Sequence, residues 1–172
     1  RAGASFDCAS IGELDRVALL GDVRSRVFFA GPGKRAPELR RALEMGARVQ
    51  AEGWEDLERL DRMSRDPVDV NLRVHPLSGP AEERGIIGGT GPAAFGVDEE
   101  DVPAMLERAQ GLERVRVRGV HVFAASNERD ADRLAATWSM VFELAERLHR
   151  DHKIAIDQID VGGGLGVPYA PE

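Results

Sequence analysis

Apolar positions along this chain switch repeatedly between a short-run pattern and a helical one. Short apolar runs at 5–9, 26–30, 48–51, 68–74, 115–125 and 154–161 read as strands. Helical stripes fill the gaps between them. Ser10-Ile11-Gly12-Glu13 has the spacing of a capping box, and Leu14, Val17 and Ala18 then form one apolar face that Gly21 can end. Pro37 suits a first helical turn, with Leu39, Ala42 and Leu43 facing inward and Gly46 closing. Trp54, Leu57, Leu60 and Met63 make a third stripe, and Val102, Leu106 and Ala109 a fourth. The longest helix is predicted over 130–150, with Leu134, Trp138, Val141, Phe142, Ala145 and Leu148 inward. The first four strands begin about 21 residues apart, the size of a compact strand–helix unit. Repeated units of this kind make a doubly wound sheet or a (β/α)8 barrel. The exception is 77–95, rich in Gly and Pro and too long for an ordinary connection, which is expected to be a functional loop or lid.

Composition narrows the choice. The 172 residues amount to one domain or part of a larger one, and 42% hydrophobic content supports a real core. A net charge of −7 argues against a nucleic-acid binder that relies on a basic surface. The single cysteine, Cys8, excludes an internal disulfide framework and suits a reducing, cytoplasmic location; it reads as a small core residue. No run of about 18 apolar residues is present, so no membrane span is expected. The chain opens at Arg1 without a Met, so its true N-terminus is expected to lie further upstream.

If the strands are parallel, their C-terminal ends gather the chemistry. Asp7, Ser10 and Glu13 follow the first strand, Gly31-Pro32-Gly33-Lys34 the second, Glu52 the third, and Arg73 and His75 end the fourth. His121, Phe123, Ser126 and Asn127 lie at the end of the fifth, and Gly162-Gly163-Gly164 ends the sixth. A glycine triplet at that place lets backbone N–H groups converge on an anion such as phosphate, or simply makes a tight turn. Glu13 has two readings, a helix cap and a rim carboxylate, and His121 likewise is a core histidine or a catalytic one. The 31–34 run lacks the spacing of a phosphate-binding Walker loop and reads as a turn. His149 and His152 stand one helical turn apart without a clear third ligand, so no metal site is expected.

Taken in order, these segments resemble the fold-type III pyridoxal-phosphate (PLP) decarboxylases of the ornithine, arginine and diaminopimelate group. Phe6-Asp7-Cys8-Ala9-Ser10-Ile11-Gly12-Glu13-Leu14 is similar to that family's G-F-D-x-A-S-x-x-E-[LI] segment, and Phe29 to Lys34 with Glu38-Leu39 to its next strand and helix. Leu72-Arg73-Val74, Phe95-Gly96-Val97, the stretch from Gly119 to Asn127 and the stretch from Asp160 to Gly166 resemble its later motifs in the same order. The resemblance implies an alanine racemase-like (β/α)8 barrel, present here as about six strand–helix units, with PLP at the strand C-termini. It implies that Gly162, Gly163, Gly164 and Ser126 hold the phosphate and that Asp7, Glu13 and Arg73 line the cofactor. It further implies amino-acid decarboxylation by a homodimer, with no nucleic-acid or membrane partner.

Three departures qualify the match. The family lysine that bonds to PLP precedes the segment matching Asp7, while the lysines here, Lys34 and Lys153, match other positions. The acidic partner of the pyridine nitrogen and a C-terminal β domain follow the glycine triplet in the family, so this chain reads as a partial barrel domain, 1–172, of a longer enzyme. Phe123 stands where the family's ring-stacking histidine stands, with His121 two residues earlier as an accessory. Phe at this position resembles a side branch of exosortase-associated and carrier-linked decarboxylases. The expected substrate is therefore a diaminopimelate- or ornithine-type amino acid or a modified or carrier-linked one. A catalytically silent binding protein and a barrel racemase are the competing classes.

Overall fold

The computed structural model describes residues 3–76 and 95–169. Strands β1 (Phe6–Cys8), β2 (Val27–Phe29), β3 (Arg48–Ala51) and β4 (Val68–His75) alternate with helices α1 (Ile11–Ala18), α2 (Ala36–Glu44) and α3 (Trp54–Met63). A two-residue β5 (Val97–Asp98) leads into α4 (Val102–Ala109), and β6 (Val115–His121), α5 (Ala131–His152) and β7 (Gln158–Asp160) follow. The helix starts obey local rules. Ser10 caps α1 through its side chain, and Asp130 caps α5 by accepting from the Asp132 and Arg133 N–H groups. Pro37 sits in the first turn of α2, where its missing N–H costs nothing.

The strands run in the order β1-β2-β3-β4-β6-β7, every pair parallel, with β5 attached to the end of β4. The sheet is strongly curled. Three strand steps separate β3 from β7, which would be roughly 14 Å in a flat sheet. Yet Gln50 Nε2 donates to Asp160 Oδ2 at 2.6 Å, and Arg48 Nη1 to Asp157 Oδ1 at 2.6 Å. This is a partial barrel whose helices pack on the outside. Outward-facing Phe29, Val49, Val70, Leu72 and Val120 form the core with Leu14, Leu39, Leu57, Leu60, Leu106, Val141 and Leu148 from the helices.

The interior face is polar. Gln50 and Asn71 are fully buried and sit in register across β3 and β4. A bulge after Val70 sets Asn71 against Gly119, where a Cβ would stand 2.1 Å from Asn71 Oδ1, so only glycine fits. Nearer the N-terminal ends of the strands, Arg48, Asp69, Arg116, Arg118 and Asp157 form an ion-pair network.

The strands predicted at 115–125 and 154–161, observed as β6 and β7, are shorter than the apolar pattern predicts. Residues 122–125 and 154–157 lie outside the strands, although the Val122 N–H still donates to the Asp160 carbonyl at 3.0 Å and the Asp157 N–H to the Arg118 carbonyl at 2.8 Å; beyond Val122 the chain runs against the glycine turn. Phe142 is 53% exposed instead of inward, and Leu144 takes the buried place. At about 100° per residue the buried stripe of α5 centres on Val141, and Phe142 falls about 100° away from it. The 77–94 part of the expected loop lies outside the described residues; Phe95 and Gly96 are described and lead into β5, a strand the apolar pattern did not mark.

Candidate active site

The strand pairing aligns three rim side chains. Arg73 on β4 is the register partner of His121 on β6, and His121 is the partner of Asp160 on β7. Burial pushes the His121 imidazole down to about 4, Arg73 adds to the shift, and Asp160 opposes it. His121 is therefore a neutral, 4% exposed ring, and its Nδ1 has no hydrogen-bond partner among the described residues. Asp7, on the opposite end of the strand order, faces the same group across the curl. Partial burial and then the charges of Asp160 and Glu13 raise its carboxyl to about 6, against the pull of Arg73. The Asp7 side chain keeps contact with solvent.

Ser10 caps α1 by accepting from the Glu13 N–H at 3.3 Å, and the Glu13 side chain reaches back past the N-cap to Ala9. Its Oε2 accepts from the Ala9 N–H at 2.7 Å and the Ser10 hydroxyl at 3.0 Å, which holds its carboxyl below the usual range. It stays close enough to raise Asp7. Both readings of Glu13 are thus compatible with one geometry.

The glycine turn is built by close approach. Gly162, Gly163 and Gly164 all have positive φ, between 72° and 83°. A Cβ at Gly162 would stand 2.4 Å from the Val122 carbonyl oxygen, and one at Gly164 would stand 2.7 Å from that of Ala125. The turn is therefore seated on the segment that carries Phe123 and Ser126. Phe123 is half-buried against Gly162, and Ser126 is exposed beside the turn. The Glu128 N–H donates to the Gly164 carbonyl at 2.9 Å, and the Gly166 N–H returns to the Glu128 carbonyl at 2.8 Å. Gly162 gives its N–H to Asp160 Oδ1 at 2.9 Å. The N–H groups of Gly163 and Gly164 bond to nothing among the described residues, and the space beside Gly163 is open. Two adjacent free N–H groups in a glycine turn can cradle an anion.

Some of the rim's polar wiring has no motif to announce it. Lys34, read as part of a turn, is buried and bonds to the Gly31 carbonyl at 2.7 Å and to Asp56 Oδ2 at 3.0 Å. Asp56 lies on α3 beside its apolar stripe and carries no signal of its own. Glu52 pairs with Arg73 at 2.7 Å. Gln50 was not marked either, and a polar residue inside a short strand-like run is the only trace it leaves; Asp160, its partner across the barrel, opens the motif-like stretch that ends at Gly166, but nothing in that motif announces the bond between them.

A family model described as pyridoxal-dependent decarboxylase, pyridoxal binding domain, matches residues 1–172. The chain belongs to this family. It is 35% identical to the diaminopimelate decarboxylase of Pseudomonas aeruginosa over 176 residues, covering 100% of this chain and 42% of the relative. It is 28% identical to the L-glutamyl-[BtrI acyl-carrier protein] decarboxylase of Niallia circulans, covering 97% of this chain and 40% of that one. The crystal structure of diaminopimelate decarboxylase from Helicobacter pylori complexed with L-lysine superposes with a TM-score of 0.82 at 26% identity, over 98% of this chain and 43% of that chain. The decarboxylase family explains the parallel partial barrel, and the cofactor of its pyridoxal-binding domain suits the residues present. A phosphate needs donors without other partners, and the Gly163 and Gly164 N–H groups meet that requirement. Lys34 is held in its ion pair with its side chain 1% exposed, and Lys153 is the left-handed cap of α5. No helix among the described residues is long and apolar enough to cross a membrane.

Proposed function

We propose that this chain is the cofactor-binding part of a longer PLP-dependent decarboxylase acting on an amino acid. The observation that carries the proposal is the glycine turn, with two free N–H groups seated beside Ser126, in a chain of the pyridoxal-binding family. The free N–H groups of Gly163 and Gly164 and the Ser126 hydroxyl would hold the phosphate, while Gly162, whose N–H is taken by Asp160, would shape the turn. Phe123 offers an aromatic face to the cofactor ring, a contact worth about 0.5–1.5 kcal/mol beyond area burial. When bound, PLP supplies an electron sink for the pair left on the substrate Cα as carbon dioxide departs. Arg73, Asp7 and Glu13 set the charge around that ring. Asp7, with its carboxyl raised to about 6, can take or release a proton at its carboxylate oxygens near neutral pH.

The substrate follows from what the rim has left to offer. Glu52 is the rim acid best placed to receive the distal ammonium of a basic amino acid, and both its oxygens are engaged, by Arg73 and by the Gly96 N–H. Phe123 replaces a histidine, and one relative is named for a carrier-linked glutamyl substrate. These features favour an amino acid whose distal end is modified or carrier-bound, handled by a homodimer.

The test is carbon dioxide release by the full-length, PLP-loaded protein. Carrier-linked glutamate should be turned over, and free ornithine, arginine, lysine and meso-diaminopimelate should not. Turnover of any free amino acid at an ordinary rate of about 1 s⁻¹ or more rejects the modified substrate and keeps the decarboxylase. No release from any substrate class rejects the decarboxylase.

A further inference from the structure

Glu52 ends β3 and uses both carboxylate oxygens. Oε1 accepts from Arg73 Nη1 at 2.7 Å, and Oε2 accepts the Gly96 N–H at 3.1 Å. The two side chains are shielded to the same degree, Arg73 at 12% and Glu52 at 10% exposure, so little water is available to replace either partner. Arg73 has no other ion pair among the described residues. Its guanidinium lies 5.3 Å from the centroid of the Phe95 ring. Gly96 has φ +80°, and a Cβ there would stand 2.9 Å from the Arg73 carbonyl oxygen. The chain therefore returns to the rim directly on top of the Arg73–Glu52 pair.

The placement of Glu52 is itself determined from behind. Its backbone N–H donates to Asp56 Oδ2 at 3.1 Å, and the same oxygen accepts from the buried Lys34 ammonium. Lys34 reaches back to the Gly31 carbonyl at the end of β2. A continuous run of bonds thus passes from the β2 loop through α3 and the end of β3 to Arg73 and Gly96. Its far end is the cation whose charge bears on both Asp7 and His121.

We propose that Glu52 is a positioning residue, which holds the Arg73 guanidinium on the interior side of the rim and ties that placement to the chain at Gly96. The proposal rests on the reading that Arg73 lines the cofactor site. It is tested in the full-length protein with Arg73→Met, Glu52→Gln, Glu52→Asp and the double variant Glu52→Gln/Arg73→Met. The readouts are the dissociation constant for PLP and the thermal midpoint. Each single variant should weaken PLP about ten-fold or more, and the double variant should bind no more weakly than Arg73→Met alone. The double variant should recover the thermal midpoint lost in Glu52→Gln, because no buried charge is left unpaired, without recovering PLP affinity. Glu52→Asp keeps the charge but is one methylene short, and should lose affinity even if Glu52→Gln fails to fold. PLP affinity that recovers with the thermal midpoint makes Glu52 a stability residue and overturns the proposal. So does parental affinity in Glu52→Gln or Glu52→Asp beside a weakened Arg73→Met. Parental affinity in Arg73→Met overturns the placement of Arg73 in the cofactor site, and the proposal with it.

Discussion

His121 is buried as a neutral ring with one nitrogen lacking a partner among the described residues, and that state has a pH signature. Its folded value of about 4 lies below the ordinary 6.5, so the unfolded chain takes up the proton first. The stabilising contribution is present above the ordinary value and is lost as pH falls through the window from 6.5 to about 4. A displacement of that size corresponds to something on the order of 3 kcal/mol. Urea unfolding of the full-length protein from pH 7 to pH 4 should show this loss, and His121→Leu should flatten it; parallel curves for parent and variant would rule out the neutral buried ring. Asp7 works in the other direction. Its folded value is raised, so its contribution is present below the ordinary carboxylate range and is lost as pH rises through about 6. Asp7→Asn should remove that alkaline-side loss, and it should be the smaller of the two effects because Asp7 keeps contact with water.

The glycine turn is the element on which function depends most, and its three glycines are not equivalent. Gly162 has both a positive φ and a carbonyl oxygen in the space a Cβ would need, whereas Gly163 has the positive φ with open space beside it. Gly163→Ala should cost about 1–2 kcal/mol, the strain of a left-handed alanine. Gly162→Ala should cost at least about 3 kcal/mol, because the Val122 backbone must also move. Chemical denaturation distinguishes them, and equal losses would mean that the turn is not seated on 122–128. This element was legible in advance because three adjacent glycines after an apolar run have few structural uses. The partners of Lys34 were not, since Asp56 stands 22 residues away on an unrelated helix face and no spacing rule connects them. Phe142 was misread because one apolar residue beside a stripe looks the same in sequence as one inside it; only the angle about α5 separates them. The two-residue β5 is too short to carry a period at all.

At the scale of the whole molecule, the regular spacing of strands and helices left a doubly wound sheet and a (β/α)8 barrel open, and the resemblance of the ordered motifs to the decarboxylases pointed to the barrel. The observed strand order, which follows the chain, is that of a barrel. The polar interior was not foreseen. Gln50, Asn71 and Asp160 look like interruptions of strand-like runs, yet the curl of the sheet turns them toward one another beneath the rim. The full burial of Gln50 and Asn71, with Asp160 partly buried, suits a barrel with a polar C-terminal face, where Arg73, His121, Asp7 and the glycine turn meet. The central claim is that this face binds the PLP phosphate. A crystal structure of the full-length protein with PLP tests it most directly. The phosphate oxygens are predicted to lie about 3 Å from the Gly163 and Gly164 backbone nitrogens, with the Ser126 hydroxyl as a further donor. A phosphate bound away from the glycine turn would contradict the account.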